Sequence, residues 1–199
     1  MVEDQVAPSP GWRSVLQAGL KQINWREVGY TFAITWLWVT TLLFVVGLIA
    51  QISDSPAILP DTATVGILPN WFDEFVGRVR TRDVTDIAFW QHLFLVIVAA
   101  PLVEESVFRL LVCRVAEVTE QWKLKWPIVI VGSFIIFGML HPNRIWSIPL
   151  QGVAGLLWAR LYLSYNGKSQ LAAFASCVIV HASYNFSVET WQVIREWAS

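Results

Sequence analysis

Two adjacent carboxylates, an arginine, two histidines and an asparagine lie inside apolar stretches of this chain, as Glu104-Glu105-x-x-x-Arg109, Phe137-x-x-x-His141 and His181-x-x-x-Asn185. An acid or base at membrane depth costs at least about 2.5–3.5 kcal/mol on the most lenient insertion scale, so such groups mark a site lined by protein and water rather than lipid. Glu105 and Arg109 are four residues apart, share a helix face and can form a charge-assisted pair. Glu104 is rotated about 100° from Glu105 and is the worse-placed partner. One carboxylate is then neutralised while the other faces a cavity, where it can serve as a general base. From spacing alone, a purely structural Glu–Arg knot between helices is the competing reading.

His141 is followed at once by Pro142 and therefore closes a helix. Phe137, one turn back, can wall the pocket. His181 and Asn185 share a face, and an imidazole and a carboxamide one turn apart can both donate hydrogen bonds to one carbonyl oxygen, as an oxyanion site requires. The two histidines with Glu104 equally make a His₂Glu set for zinc, with water in the fourth position. Alone, either histidine reads as an interfacial or hydrogen-bonded residue and Asn185 as a helix-packing one; their company gives them weight. Pro101 removes a backbone donor one turn before the glutamates and frees a carbonyl near the site. His92 lies about 18 Å along a straight helix from Glu104 and is left outside it.

The elements that carry these residues are those of a membrane protein. The chain has 199 residues, 55% hydrophobic and 15% charged, where a soluble domain carries about 25% charge. Charges gather at 1–27, 53–86, 114–125 and the C-terminus, with nearly charge-free blocks between. Many of the twelve tryptophans, Trp25, Trp90, Trp122, Trp126, Trp146, Trp158 and Trp191, lie near block edges, where indoles favour the headgroup level. Residues 1–86 divide into an amphipathic surface helix over 10–26, begun by Ser9-Pro10, a first span over 29–51 and an extramembrane loop. Trp71, Phe72, Phe75 and Val76 form an apolar stripe in that loop. Residues 87–190 supply four more spans, at 87–113, 126–141, 146–165 and 170–188, and 191–199 form a tail. The predicted fold is an all-α, multi-pass transmembrane helical bundle of about five spans around a polar intramembrane cavity. Seven basic residues flank the N-terminal side (Arg13, Lys21, Arg26, Arg114, Lys123, Lys125, Lys168) and five the other (Arg78, Arg80, Arg82, Arg144, Arg195), which orients the N-terminus to the cytoplasm of a plasma or internal membrane. The acidic start lacks the basic n-region of a cleaved signal. A net charge of −1 gives no sign of a nucleic-acid partner, and Cys113 and Cys177 imply no disulfide framework. Serine-elbow, HExxH, P-loop and dinucleotide motifs are absent from the sequence.

In order, spacing and membrane setting, the three clusters resemble the CAAX-protease and bacteriocin-processing (CPBP, or abortive-infectivity, ABI) family of intramembrane endopeptidases, whose pattern is EExxxR, then FxxxH, then HxxxN. Here they read Glu104-Glu105-Ser106-Val107-Phe108-Arg109, Phe137-Gly138-Met139-Leu140-His141 and His181-Ala182-Ser183-Tyr184-Asn185. The stretch from Gly152 through Leu163 is similar to the family's glycine-rich helix, and the resemblance covers about 88–190. Leu110 departs from it, since glycine often follows the arginine, and close helix packing is expected to be lost there.

The resemblance implies that Glu104 and His141 activate water for attack on a peptide carbonyl, that His181 and Asn185 stabilise the oxyanion, and that Glu105 holds Arg109. The expected substrate is a membrane-associated, lipidated or hydrophobic peptide. No cofactor is favoured, because a tight zinc site usually has further carboxylates around its ligands and only Glu105 is at hand; were zinc used, Glu104, His141 and His181 would hold it. The alternative is a catalytically inactive relative acting as a binding or bacteriocin-immunity protein. A small transporter fits less well, because paired broken helices are lacking. Oligomeric state is not encoded in these patterns.

Overall fold

The computed structural model describes residues 11–52, 86–119, 122–141, 147–165 and 168–197. The expected Ser9-Pro10 start, the loop stripe from Trp71 to Val76, its arginines, Arg144 and Trp146 lie outside the described residues. Regular structure among the described residues is all helical.

The first two helices are α1 (Trp12–Lys21) and α2 (Trp25–Ile52). Helix α3 is a contiguous run of segments, Ile87–Phe94, Leu95–Ala99, Ala100–Glu105, Ser106–Cys113 and Arg114–Val118. Helix α4 comprises Trp122–Val129, Ile130–Ile136 and Phe137–Leu140; α5 comprises Ile148–Gly152 and Val153–Ser164; α6 is Gln170–Trp197. Leu95–Ala99, Ser106–Cys113, Ile130–Ile136 and Ile148–Gly152 are wound as π-helix, a widened turn that is rare and recurs at functional sites.

The apolar spacing predicts one amphipathic helix over 10–26; the chain instead breaks after Lys21 and restarts at Trp25. Asn24 causes the break. Its N–H donates to the Tyr165 hydroxyl at 2.9 Å, and its Oδ1 accepts from the Glu27 N–H at 3.4 Å, the work of an N-cap residue. Gly19 of α1 is buried against Leu171 of α6, while Trp12, Val15, Leu16 and Leu20 stay exposed.

Among the described residues two helices are long and apolar enough to cross a membrane, Trp25–Val45 and Gln170–Trp191, and α4 holds a shorter apolar stretch, Leu124–Leu140. Helix α3 is inverted relative to a soluble helix. Phe94, Val98, Leu102, Val103, Val107 and Leu111 are exposed, while Glu105 and Arg109 are wholly buried. Apolar side chains outward and charges inward is the arrangement expected where lipid replaces water.

Helix α5 is the centre of the bundle, with Ala154, Trp158, Ala159, Leu161 and Tyr162 buried. Trp158 is therefore no headgroup-level residue: it is 0% exposed, packed beneath the polar cluster, whereas Trp25, Trp90 and Trp191 are exposed. The Gly152 and Gly155 positions let α5 approach the α4 backbone; a Cβ would overlap the carbonyl oxygens of Phe134 and Ser133 respectively. The Leu110 side chain points outward, 45% exposed. Close approach between α3 and α4 falls at Gly132 instead, against Val112.

Candidate active site

The buried half of the site is built on α3. Four residues of helix bring the Arg109 Nε to Glu105 Oε2 at 2.6 Å, both side chains fully buried. Burying two charges is tolerable only when the remaining donors and acceptors are met. Arg109 Nη1 donates to Ser133 Oγ of α4 at 2.9 Å and reaches toward Cys113 Sγ at 3.9 Å. The other carboxylate oxygen, Glu105 Oε1, lies 2.9 Å from His181 Nδ1 of α6. Glu105 thus ties three helices together through Arg109 and His181. The i,i+4 spacing disclosed only the first of those two partners.

The bond to Glu105 also sets the tautomer of His181. A carboxylate facing Arg109 accepts, so the His181 Nδ1–H donates to it, and in that tautomer Nε2 presents its lone pair on the other edge. His141 is fixed by a different route. Pro142 follows it, which disfavours helical backbone at the preceding residue, and His141 leaves the helix with φ −85° and ψ 156°. Its ring folds back so that Nδ1 donates to the Phe137 carbonyl at 2.8 Å, one of the carbonyls that a helix end leaves unpaired. Its Nε2 lone pair is likewise left facing outward.

Both lone pairs converge on Glu104. Its Oε2 lies 3.7 Å from His141 Nε2 and 3.8 Å from His181 Nε2, and this buried oxygen has no hydrogen-bond partner among the described residues. The rest of the Glu104 side chain is 31% exposed, against none of Glu105. Three acceptors facing one another require a donor among them. Phe137 is the wedge that spaces the two rings, at 4.6 Å from His141 and 6.2 Å from His181, with Phe108 and Trp158 edge-on behind it.

Asn185 sits one turn beyond His181, and its Nδ2 donates to the Val96 carbonyl at 2.8 Å. The π-helical turn explains why that carbonyl is free. The Ala100 N–H bonds Leu95 O, five residues back; the next bond in register would join Pro101 to Val96, and proline has no N–H. The carbonyl freed by Pro101 is thus claimed by Asn185, leaving the second amide hydrogen of Asn185 for another acceptor. His92 lies elsewhere, its Nε2 3.4 Å from Glu189 Oε2 without a hydrogen bond among the described residues.

Sequence reasoning missed three neighbours of the cluster. Ser133 left a trace, as the one hydroxyl in the apolar run 127–140. The Val96 carbonyl left one only in Pro101, which announces a freed acceptor without saying which, and Trp158, whose ring lies 4.2 Å from that of His181, left none.

Were zinc bound, Glu104, His141 and His181 would hold it. Two ligand atoms of a tetrahedral zinc with bonds of about 2.0–2.1 Å stand roughly 3.3 Å apart, closer than the 3.7 and 3.8 Å here.

Comparison with curated proteins and with solved structures returns no match. The model of one protein family, type II CAAX prenyl endopeptidase Rce1-like, matches residues 86–187, just over half of the chain and all of α3 to Asn185. The chain belongs to the type II CAAX prenyl endopeptidase Rce1-like family, a family of membrane-integral proteases.

Proposed function

We propose that this protein is a metal-free intramembrane endopeptidase in which Glu104 and His141 activate a water and His181 and Asn185 stabilise the oxyanion. The observation that carries the reading is the convergence of Glu104 Oε2 on two imidazole lone pairs. A water about 2.8 Å from both Glu104 Oε2 and His141 Nε2 would donate a hydrogen to each, at an acceptor–oxygen–acceptor angle of roughly 80–85°. Its own lone pair then points away from both, toward a bound peptide carbonyl. Attack transfers one water proton to the Glu104–His141 pair, and the same pair returns it to the leaving amine.

His181 contributes to the oxyanion by taking a proton from solvent at Nε2 ahead of the attack, which leaves Nδ1–H on Glu105 and puts Nε2–H on the developing charge. Asn185 adds the amide hydrogen that Val96 does not use. Preorganised donors of this kind are worth about 10²–10³ in rate each. Arg109 holds Glu105 in place through the 2.6 Å pair without touching substrate.

Helices α2 to α6 are the five spans of this reading, with residues 87–190 as the catalytic core, the outward apolar face of α3 against lipid and α1 resting on the surface by Trp12, Leu16 and Leu20. The N-terminus is cytoplasmic. The substrate is a lipidated or hydrophobic peptide that reaches the site from the bilayer.

Purified protein reconstituted in liposomes tests this with quenched fluorogenic peptides, one prenylated at a C-terminal cysteine and one carrying a hydrophobic stretch instead. Cleavage that survives a strong chelator and disappears in Glu104→Gln is the expected result. About one zinc per chain in the purified protein, lost in His141→Ala together with activity, would overturn the metal-free chemistry.

A further inference from the structure

We infer that α2, which lies outside the family-matched segment, is part of the active centre, and that Thr35 and Trp158 are positioning residues for His181. It rests on the proposed peptidase reading for what His181 does, and on geometry for the link itself.

A single hydrogen bond does not fix an imidazole. The Nδ1 contact to Glu105 sets the direction of one nitrogen, but the ring can still swing about that bond and carry Nε2 away from Glu104. A face laid against the ring removes this freedom. The Trp158 indole supplies it, with ring centres 4.2 Å apart and planes 34° from parallel. Trp158 is in turn held at its polar edge. Its Nε1–H is a donor only and reaches Thr35 Oγ1 of α2 at 3.3 Å.

The direction of that bond is unambiguous. The Thr35 hydroxyl hydrogen is given to the Thr31 carbonyl at 2.8 Å, so its oxygen is free to accept. Thr35 and Trp158 are both fully buried, and water cannot replace the lost partner without a rearrangement. Trp158 is further caged by Phe137 at 5.9 Å and by Tyr184 at 6.1 Å. Trp36, the neighbour of Thr35, packs on Tyr184 at 5.6 Å, so the same turn of α2 touches the cage twice. One turn later the Trp38 Nε1 donates to the Pro149 carbonyl at 2.7 Å, which registers α2 against the start of α5. The chain Thr35–Trp158–His181–Glu105 therefore runs from α2 to the buried charge pair without a gap.

The test uses full-length protein, Thr35→Val as an isosteric loss of the hydroxyl, Thr35→Ser as its conservative rescue and Trp158→Phe as loss of the indole donor. With three histidines in the chain, ring-selective ¹³C-histidine NMR in detergent reads each one, assigned by single substitutions. Thr35→Val is expected to move the His181 ring signal, which the indole shifts by its ring current, while His92 and His141 stay put. The turnover number on a cleaved peptide should fall about 10- to 100-fold with KM unchanged, the range for a small misplacement of a working group. Thr35→Ser should restore both readouts, and adding Thr35→Val to Trp158→Phe should lose nothing further, as for two residues acting through one contact. An unmoved His181 signal in Thr35→Val, three histidine signals shifting together, or additive losses in the double variant would each overturn the link. A wild type that cleaves no peptide while the His181 signal still answers to Thr35 would sink the peptidase reading and uphold the link.

Discussion

Adjacent glutamates that differ only in which way they face should fail in opposite ways. Glu105→Gln keeps the shape but removes the charge beside Arg109, whose side chain is wholly buried and whose Nη2 already has no partner among the described residues. The guanidinium would be left with the Ser133 hydroxyl and the Cys113 sulfur. A glutamine can also accept from Arg109 or from His181 through its one carbonyl oxygen, not from both through two. Breaking a buried pair by removing one charge costs about 3–5 kcal/mol, and at roughly 2–4 °C per kcal/mol for a chain of this size the melting midpoint should drop about 6–20 °C. Glu104→Gln is the reverse case. Its Oε2 makes no hydrogen bond among the described residues and faces two imidazole nitrogens. An amide hydrogen there is as welcome as the carboxylate, so the midpoint should stay within about 1–2 °C or rise. Activity should nevertheless fall by at least about 10²–10⁴, the contribution of a general base. Tryptophan fluorescence melts of both variants in one detergent, beside peptide cleavage, give the comparison. Equal destabilisation by the two substitutions, or a Glu105→Gln protein as stable as wild type, would refute the assignment of one glutamate to architecture and the other to chemistry.

Pro101→Ala restores an N–H that can take the Val96 carbonyl from Asn185; cleavage should slow about tenfold with the melting midpoint unchanged or higher, and an unchanged rate would mean that this bond does not position Asn185. Ser133→Ala deprives Arg109 Nη1 of its hydroxyl and should lower stability by about 1–3 kcal/mol, read as a shift of the same melting curve. Gly155→Ala puts a methyl into the Ser133 carbonyl and should destabilise by about 1–3 kcal/mol, more than Gly29→Ala, where a Cβ meets open space.

How much of this was legible beforehand depends on how local each cause is. The Glu105–Arg109 pair is an i,i+4 relation, and the extended backbone at His141 follows from the proline after it; both are written within five residues. Pro101 likewise announces a freed carbonyl. Which carbonyl is freed depends on the π-helical register of Leu95–Ala99, to which a 3.6-residue periodicity is blind, and its claimant lies on another helix. The Glu105–His181 contact spans 76 residues and the Thr35–Trp158 contact 123, so spacing holds no trace of either. Composition misplaced Trp158 for the same reason: an indole at the edge of an apolar block looks alike whether it meets a headgroup or an imidazole. The break before Trp25 was missed because it is stabilised by the Tyr165 hydroxyl, 141 residues away.

The central claim is that Glu104 performs peptide hydrolysis in the membrane. Its most direct test is terminal-peptide profiling of membranes from cells that express the wild type or Glu104→Gln at matched protein levels, with no assumption about substrate. New peptide termini on membrane or lipidated proteins in the wild-type sample, absent with Glu104→Gln, are the predicted result. The same set of termini in both samples, with both proteins folded and abundant, would contradict it.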